Sequence, residues 1–354
     1  MLSTDPAHSL ADALGEPVGT RMRAIAENVW AREIRAQTDL DRSWGSIQSW
    51  LRELLREEAD ELLTEELLAF PGIEELMALR AVREVAATGD FDVCVVDCAP
   101  TGSTMRMLRF PDALRIFMTH FFEFERKGAR LLRPFLRGLD AGRLLPREEF
   151  FDAFERLYEE VDDVQRILLD GDRTSARLVV NPARVVVDET RRSFAYLSLY
   201  GVATDAVLVN RVMPEAASGG YFNRWIERER EEIKRIEESF PVPVRKVALR
   251  SAEVIGVPAL EVLARDVYGD EDPAAMLSTG RPIRIRRAGG RMRLEVDLPG
   301  ISKEEIDVLL KGADLHLRVR DGRRSIGLPD SLVGREITRV RLRDSTLEIT
   351  FSGG

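Results

Sequence analysis

The first hundred residues show two patterns of helical spacing. Apolar residues recur at intervals of three and four between Met22 and Trp30, and again between Ile47 and Leu55. This spacing predicts two amphipathic helices, each with one face in the core. The segment FPGIEEL, which begins at Phe70, predicts a third helix that runs up to Gly89.

Short apolar runs follow these helical segments. They are too short for helices and are bounded by turn formers, so they predict strands. The runs are Phe91–Asp97, Leu178–Val180 and Ala206–Asn210. The first is apolar enough to predict a fully buried parallel strand. Alternation of helices with such strands predicts an α/β fold with a doubly wound parallel sheet, which we expect over residues 1–272.

Near the C-terminus the hydrophobic period changes to two. Residues 273–280 are small or turn-forming and predict a linker. Beyond them, apolar and polar residues alternate in 292–298, 315–319 and 340–351. This alternation predicts a small all-β sandwich domain at residues 281–354.

A long segment without strand patterns lies between the first two predicted strands. Apolar residues at helical spacing fill Leu114–Phe122 and Leu131–Leu136, which predicts a helical subdomain at about residues 103–175. These helices either pack a helical layer or line an adaptable groove of methionine and phenylalanine for an apolar client helix. The pattern leaves both interpretations open.

Composition and charge exclude several classes of partner. The 354 residues are 44% hydrophobic and carry a net charge of −9, with no basic stripe of interleaved aromatics, which argues against nucleic acid. No run of 18 apolar residues and no signal peptide occurs, so we expect a cytoplasmic protein that is not an integral membrane protein.

The only two cysteines are Cys94 and Cys98. Four residues along a strand separate them by about 13 Å, too far for a disulfide or a shared zinc ion. We therefore expect no zinc, and we expect both side chains to be small buried apolar groups.

The candidate chemistry is carried by two acidic residues beside turns. Asp97 ends the first predicted strand and is followed by Pro-Thr-Gly, and Asp5 follows Ser3 and Thr4. Ligands of open α/β sheets bind beyond the carboxyl ends of the strands. The two carboxylates are therefore expected to converge at a site for a magnesium-bound nucleotide, beside loops that respond to phosphate.

These segments resemble the ArsA-type ATPases, the family of arsenite-pump ATPases and of targeting factors for tail-anchored membrane proteins. STDPAHSLAD, from Ser3 to Asp12, and DCAPTGSTMR, from Asp97 to Arg106, are similar to the two switches of that family. Cys98 and Ser103 stand where the family has Thr and His. RRSFAYLSLYG and VNRVMP extend the likeness over about the first 270 residues. VDLPGISKEEIDV in the last domain resembles the α-crystallin domain of small heat-shock proteins.

The resemblance implies ATP hydrolysis on a P-loop NTPase-type sheet, with ATP and Mg²⁺ as cofactors. It implies that Asp5 activates the attacking water and that Asp97 holds Mg²⁺ through a coordinated water. It also implies a homodimer that closes around a hydrophobic client protein. The residues it implies for nucleotide binding are Pro100, Thr101, Gly102, Asn210 and Arg211.

The family's phosphate cradle, GKGGVGKT, has no counterpart in the sequence. No G-K-[ST] occurs in the 354 residues, and the first lysine is Lys127. By the resemblance, Met1 falls inside the second strand, so about 30 residues that form the first strand and the P-loop are expected to be missing. Either the start was assigned too late or the segment was lost. In both cases we expect weak Mg·ATP binding and an open gap in the sheet.

Two functions remain open at this point. One is an ATPase that switches conformation to handle or target hydrophobic, tail-anchored-like clients. The alternative is a nucleotide-independent, chaperone-like adaptor that binds clients. Arsenite efflux is disfavoured because two separated cysteines do not form the thiolate cluster that trivalent arsenic requires.

Overall fold

A computed structural model describes residues 1–5, 9–34, 73–98, 108, 148–217, 219–288 and 291–352. The chain forms two compact units, Met1–Arg166 and Ile167–Gly354. The predicted helix at Ile47–Leu55 and both apolar segments of the proposed client groove lie outside the described residues.

The described part of the first unit contains a mostly parallel sheet. Its strand order is β2-β3-β1-β4, and β1 runs parallel to both β3 and β4. Leu2 of β1 is fully buried between these neighbours. The elements are β1 (Leu2–Ser3), α1 (Ser9–Leu14), β2 (Arg23–Ala26), β3 (Val29–Glu33), α2 (Ile73–Thr88), β4 (Val96–Asp97) and α3 (Glu148–Leu169).

The predicted helix between Met22 and Trp30 is wrong, because this segment forms the antiparallel hairpin of β2 and β3. Asn28 takes a left-handed conformation, φ 57°, which allows the chain to reverse. Trp30 has high strand propensity, and its carbonyl accepts a hydrogen bond from the Met1 amino group at 2.6 Å. Pairing with β1 therefore outweighs the helical spacing.

The helix that follows FPGIEEL is confirmed as α2, and Gly89 follows it with φ 67°. The prediction of a fully buried strand from Phe91 to Asp97 is wrong. Only Val96–Asp97 forms a strand, and Val93 and Val95 are 51% and 53% exposed.

The position of β4 accounts for this exposure. β4 lies at the edge of the sheet, so among the described strands only β1 pairs with it. Cys94 and Cys98 are likewise exposed, contrary to the expectation that they are buried.

The second unit begins with alternating strands and helices. Its three strands pair in the order β5-β6-β7 and are all parallel, which confirms the strands predicted near Leu178 and Ala206. Val207, Phe194 and Ile236 form a core between the sheet and its helices. The elements are β5 (Ala176–Val180), α4 (Arg184–Tyr200), β6 (Thr204–Val212), α5 (Asn223–Ser239), β7 (Val244–Ala248) and α6 (Val257–Tyr268).

The C-terminal part is an antiparallel structure of two sheets, as the period-two pattern predicts. One sheet has the order β10-β11-β12 and the other β13-β14-β9-β8. The pattern missed β8, β10 and β12, two of which are rich in arginine and carry few apolar residues. The strands are β8 (Ile283–Ala288), β9 (Arg291–Asp297), β10 (Ile306–Lys311), β11 (Asp314–Val319), β12 (Gly322–Gly327), β13 (Ile337–Arg343) and β14 (Thr346–Phe351).

Helix α4 packs against both parts of the second unit. Phe194 lies in the core of the parallel sheet, with its ring 5.5 Å from that of Phe240. On the other side, α4 approaches the C-terminal strands so closely that a Cβ on Gly322 would lie 2.9 Å from Tyr196 Cε1. The sandwich is thus close-packed on the helix.

A buried ion pair fixes the segment that connects the two parts. Asp205 is fully buried, and Arg177 donates to its two carboxylate oxygens from Nε and Nη2, both at 3.2 Å. The same guanidinium donates to the carbonyl oxygens of Pro273 at 2.5 Å and Ala275 at 2.8 Å. The Leu277 amide donates to Asp205 at 3.1 Å, so the segment is held at three points.

Candidate functional site

The carboxyl edge of the first unit's sheet gathers the acidic residues. Ser3 ends β1 and lies opposite Asp97 of β4 on one side and Glu33 of β3 on the other. Because the three strands are parallel, their carboxyl ends share one edge, where ligands of such sheets bind. Asp97 is the last residue of its strand, as the sequence predicts.

Hydrogen bonds connect the Asp5 loop to Asp97. The buried Ser3 hydroxyl donates to Asp97 Oδ2 and accepts from the Asp5 amide, both at 3.4 Å. The Thr4 amide donates to the Asp97 carbonyl oxygen at 2.8 Å, and the Thr4 hydroxyl donates to it at 3.2 Å. The two predicted acidic residues are therefore neighbours, and Ser3 is the side chain that joins them.

The electrostatics of this edge disfavour a negative charge on Asp97. Partial burial raises the pKa of Asp97, the hydrogen bond from Ser3 lowers it, and the charge of Asp5 raises it again, so that the pKa lies above its ordinary value. A cation at this edge would reverse that effect. The site thus has an electrostatic preference for a bound cation.

Glu33 is a component that the sequence analysis missed. Glu33 is only 1% exposed. Its Oε1 accepts a hydrogen bond at 3.3 Å from the amide of Ala11, which lies in the first turn of α1. Glu33 therefore anchors the helix that follows the Asp5 loop. The available signal was an acidic residue at the end of a short apolar run, the same signal that identified Asp97.

The donor atoms at this edge fit Mg²⁺ bound in its usual manner. Magnesium prefers oxygen ligands, keeps several waters, and is commonly held by one or two carboxylates together with substrate phosphates. Asp97 and Asp5 supply such carboxylates. Within the described ranges, no three His, Cys, Asp or Glu side chains form a complete metal site by themselves.

The residues predicted to contact nucleotide fall into two groups. Pro100, Thr101 and Gly102 lie outside the described residues. Asn210 and Arg211 belong to the second unit, near the carboxyl end of β6. The Arg211 amide donates to Asn210 Oδ1 at 2.9 Å, and Arg211 is exposed with φ 57°. The side-chain oxygen of Asn210 is thus used locally, and its amide nitrogen has no hydrogen bond to a described residue.

A cavity of about 570 Å³ lies in the second unit between α4 and the sandwich. Glu305, on its wall, accepts hydrogen bonds from the Ser302 amide at 2.8 Å and from Arg320 Nε at 2.5 Å. These bonds, that from the Ser302 backbone foremost, lower the pKa of Glu305. Glu305 is thus already paired with Ser302 and Arg320, whereas the buried Nε of Arg191 on the same wall has no hydrogen bond to a described residue. With its one carboxylate already paired, this cavity is a weaker candidate than the edge at Asp97.

Comparison with protein families identifies the two parts of the chain. Residues 1–269 match the model of the anion-transporting ATPases, ArsA_ATPase, and residues 289–351 match an HSP20-like domain found in ArsA. The chain belongs to the ArsA ATPase family. Its fold is therefore that of a P-loop NTPase domain followed by an HSP20-like domain, as the sequence predicts.

Individual relatives agree with this assignment. A putative arsenical pump-driving ATPase of Prosthecochloris vibrioformis is 34% identical over 99% of this chain and 88% of its own length. Another, from Aquifex aeolicus, is 35% identical over 99% of this chain and 92% of its own. An ATPase ASNA1 homolog of Trypanosoma cruzi is 27% identical over 75% of this chain and 78% of its own.

The described helices include none that combines the length and the apolar character needed to span a membrane.

Proposed function

We propose that this protein, once a P-loop completes its nucleotide site, hydrolyses Mg·ATP and uses the resulting conformational change to handle hydrophobic client proteins. One observation carries the proposal: Asp5 and Asp97 meet through Ser3 at the carboxyl edge of a parallel sheet. A single strand-end carboxylate is common in α/β proteins. Here the Ser3 hydroxyl bonds both the Asp97 carboxylate and the Asp5 backbone amide, and both acidic residues lie in segments that match the family's switches. This arrangement supports a γ-phosphate site.

Asp5 orients the attacking water by accepting a hydrogen bond from it and takes up its proton as the oxygen bonds to the γ-phosphorus; the bond from that phosphorus to the β–γ bridging oxygen breaks, and ADP leaves. Asp97 would hold Mg²⁺ through a coordinated water, and Ser3 keeps the Asp97 carboxylate in place through the 3.4 Å hydrogen bond. Bound magnesium supplies charge neutralisation at the phosphate oxygens. Pro100, Thr101 and Gly102 move with phosphate state, since they lie three to five residues after Asp97 in the segment that resembles the family's second switch.

For Asn210 and Arg211 of the second unit we propose binding of the adenine base, as the family resemblance implies. The amide nitrogen of Asn210 donates to the base edge, and the exposed guanidinium of Arg211 stacks on the ring. The left-handed backbone of Arg211 supports this role, because non-glycine residues hold such a conformation mainly where the surroundings require it.

The client is bound, in this proposal, by the helical subdomain at about residues 103–175 of a cytoplasmic homodimer. The sequence of that segment is rich in phenylalanine and also contains methionine, side chains suited to binding apolar helices. Relatives are named as putative arsenical pump-driving ATPases. We nevertheless favour a protein client over arsenite, because Cys94 and Cys98 are the only thiols of this chain.

Phosphate release tests the roles of the two carboxylates. Because the 354 residues contain no G-K-[ST], we expect weak binding of Mg·ADP by calorimetry. Placing a strand, a GKGGVGKT loop and a helix from a relative before Met1 should confer ATP hydrolysis. In that chimera Asp5→Asn should lower kcat by about 100-fold or more. Asp97→Asn should raise the Mg²⁺ concentration needed for half-maximal rate.

Asp92→Asn is the matched control, since Asp92 is exposed and lies before β4 rather than at its carboxyl end. Full activity of the Asp5 variant would exclude the proposed role of Asp5. A chimera that binds no nucleotide but still retains an apolar helical peptide would favour the adaptor function. The specific observation behind that alternative is the HSP20-like domain at residues 289–351.

A further inference from the structure

The charge of this protein is divided unevenly between its parts. Residues 281–354 carry 16 arginines and lysines against 11 aspartates and glutamates, a net charge of +5 in a chain whose total is −9. Such an asymmetry indicates that the HSP20-like domain meets a different class of partner from the rest of the chain.

Three of these arginines form a stripe on the edge strand β13. Arg339, Arg341 and Arg343 are exposed, whereas Val340 and Leu342 between them are half-buried. The arginines therefore share the outer face of the sheet at intervals of about 7 Å. None of the three forms an ion pair with a described residue. Arg341 and Arg343, with Lys303, also line a cavity of about 350 Å³.

The other strands of the same sheet show how its arginines are otherwise matched. Arg284 of β8 donates to Asp297 of β9 at 2.6 and 2.7 Å. Arg293 of β9 donates to Glu348 of β14 at 3.2 Å. Carboxylates on a neighbouring strand thus pair with Arg284 of β8 and Arg293 of β9.

The arginines of β13 have no such available carboxylates on the neighbouring strand β14. Arg341 lies opposite Glu348, which Arg293 already engages, while Arg339 and Arg343 lie opposite Thr350 and Thr346. Among the described strands, β13 has a neighbour on one side only. Both the backbone groups of its outer edge and the charges of its arginines are therefore available to a further strand.

We propose that the stripe of Arg339, Arg341 and Arg343 binds an extended, acidic polypeptide segment with glutamate or aspartate at alternate positions. An extended chain repeats its side chains every two residues, so carboxylates at that period face the three guanidinium groups in register. Each pair gains a charge-assisted hydrogen bond. This inference concerns a surface of the HSP20-like domain and does not depend on nucleotide chemistry.

Fluorescence anisotropy of the full chain tests the proposal. The probe is a dye-labelled peptide in which threonine and glutamate alternate. It should bind at low salt and dissociate as salt is raised. A peptide of the same composition with its glutamates in one block should bind more weakly, because its carboxylates lose the register.

A matched pair of double variants locates the site. Arg339→Gln with Arg343→Gln should weaken binding about tenfold, because two charge-assisted bonds are lost. Arg287→Gln with Arg323→Gln makes the same charge change at two exposed positions off the stripe, and should leave affinity within about twofold. Circular dichroism and thermal unfolding confirm that both variants fold.

Three results overturn the proposal. One is an equal loss of affinity in both double variants. Another is equal binding of the alternating and the blocked peptide. That result would show that the arginines attract negative charge without recognising glutamates at alternate positions. The third is stripe-dependent capture of the chain by phosphatidylserine vesicles with no peptide binding, which assigns the arginines to a lipid surface.

Discussion

Two carboxylates, one near the amino end of a strand and the other at the carboxyl end of a different strand, have different hydrogen-bond and charge partners. Asp205, near the start of β6, is fully buried, and Arg177 and the Leu277 amide satisfy it. Asp97, at the end of β4, receives one hydroxyl and lies near a second negative charge. Both carboxylate oxygens of Asp205 are paired within the fold. No described side chain supplies a cation to Asp97.

This difference distinguishes an acid that is paired within the fold from one that is a candidate for ligand binding. The amino end of β6 is closed by an arginine that also fixes the segment before the HSP20-like domain. At the carboxyl edge, by contrast, no described side chain pairs the Asp97 carboxylate with a cation, a feature common at ligand sites on that edge. Burial alone does not make the distinction, because both residues are at least partly buried; the sign of the neighbouring charge does.

Removing Arg177 should have the largest effect. Arg177→Ala leaves Asp205 buried without its cation and releases the carbonyls of Pro273 and Ala275. We expect the free energy of unfolding of the chain to fall by about 3–5 kcal/mol, measured by urea denaturation. Arg173→Ala removes an exposed arginine nearby and should change stability by less than about 0.5 kcal/mol.

The double variant Arg177→Ala with Asp205→Ala sharpens this test. Because the uncompensated charge is then absent, it should be more stable than Arg177→Ala alone. If the single variant instead unfolds within about 1 kcal/mol of the parent chain, Asp205 is not the self-contained structural acid described here.

A second test addresses how closely the C-terminal sandwich packs on α4. A Cβ at Gly322 would meet Tyr196 and Leu199 at 2.9 and 3.0 Å, so Gly322→Ala should destabilise the second unit by about 1–3 kcal/mol. At Gly171 a Cβ lies 3.8 Å from Ala203, an ordinary contact, and Gly171→Ala should be near neutral. Equal urea midpoints for the two variants would contradict close packing of the sandwich on α4.

Much of the fold could be predicted from patterns in the sequence. The runs at Leu178 and Ala206 are continuous and apolar, and the alternation after residue 290 is regular, so each pattern has one interpretation. The segment from Met22 to Trp30 has two, because its apolar positions fit a helix while Asn28 and Trp30 favour a hairpin. Contact with β1 decides between them, and local spacing does not report that contact.

The candidate site was predicted less completely. Asp5 and Asp97 were identified because each adjoins a recognisable turn. Glu33 and Ser3 were not assigned roles, because their importance comes from parallel pairing of β1 with β3 and β4. Asp205 and Arg177 are 28 positions apart, and nothing in their local sequence indicates a buried pair.

The smallest expected effect is on the thermal stability of Asp97→Asn. Unlike the preceding variants, this one is expected to stabilise the protein. Burial and the charge of Asp5 raise the pKa of Asp97 in the folded chain above its unfolded value. Ionisation of Asp97 therefore destabilises the fold as pH rises through the folded pKa, and the cost is absent in acid, where both states are protonated. Asp97→Asn should thus raise the melting temperature at neutral pH, and the gain should disappear at low pH. Added Mg²⁺ should stabilise the parent chain but not the variant, because the ion binds the ionised carboxylate. If Asp97→Asn is less stable than the parent at every pH, the Asp97 carboxylate stabilises the fold, as Asp205 does, and the proposed contrast between them is wrong.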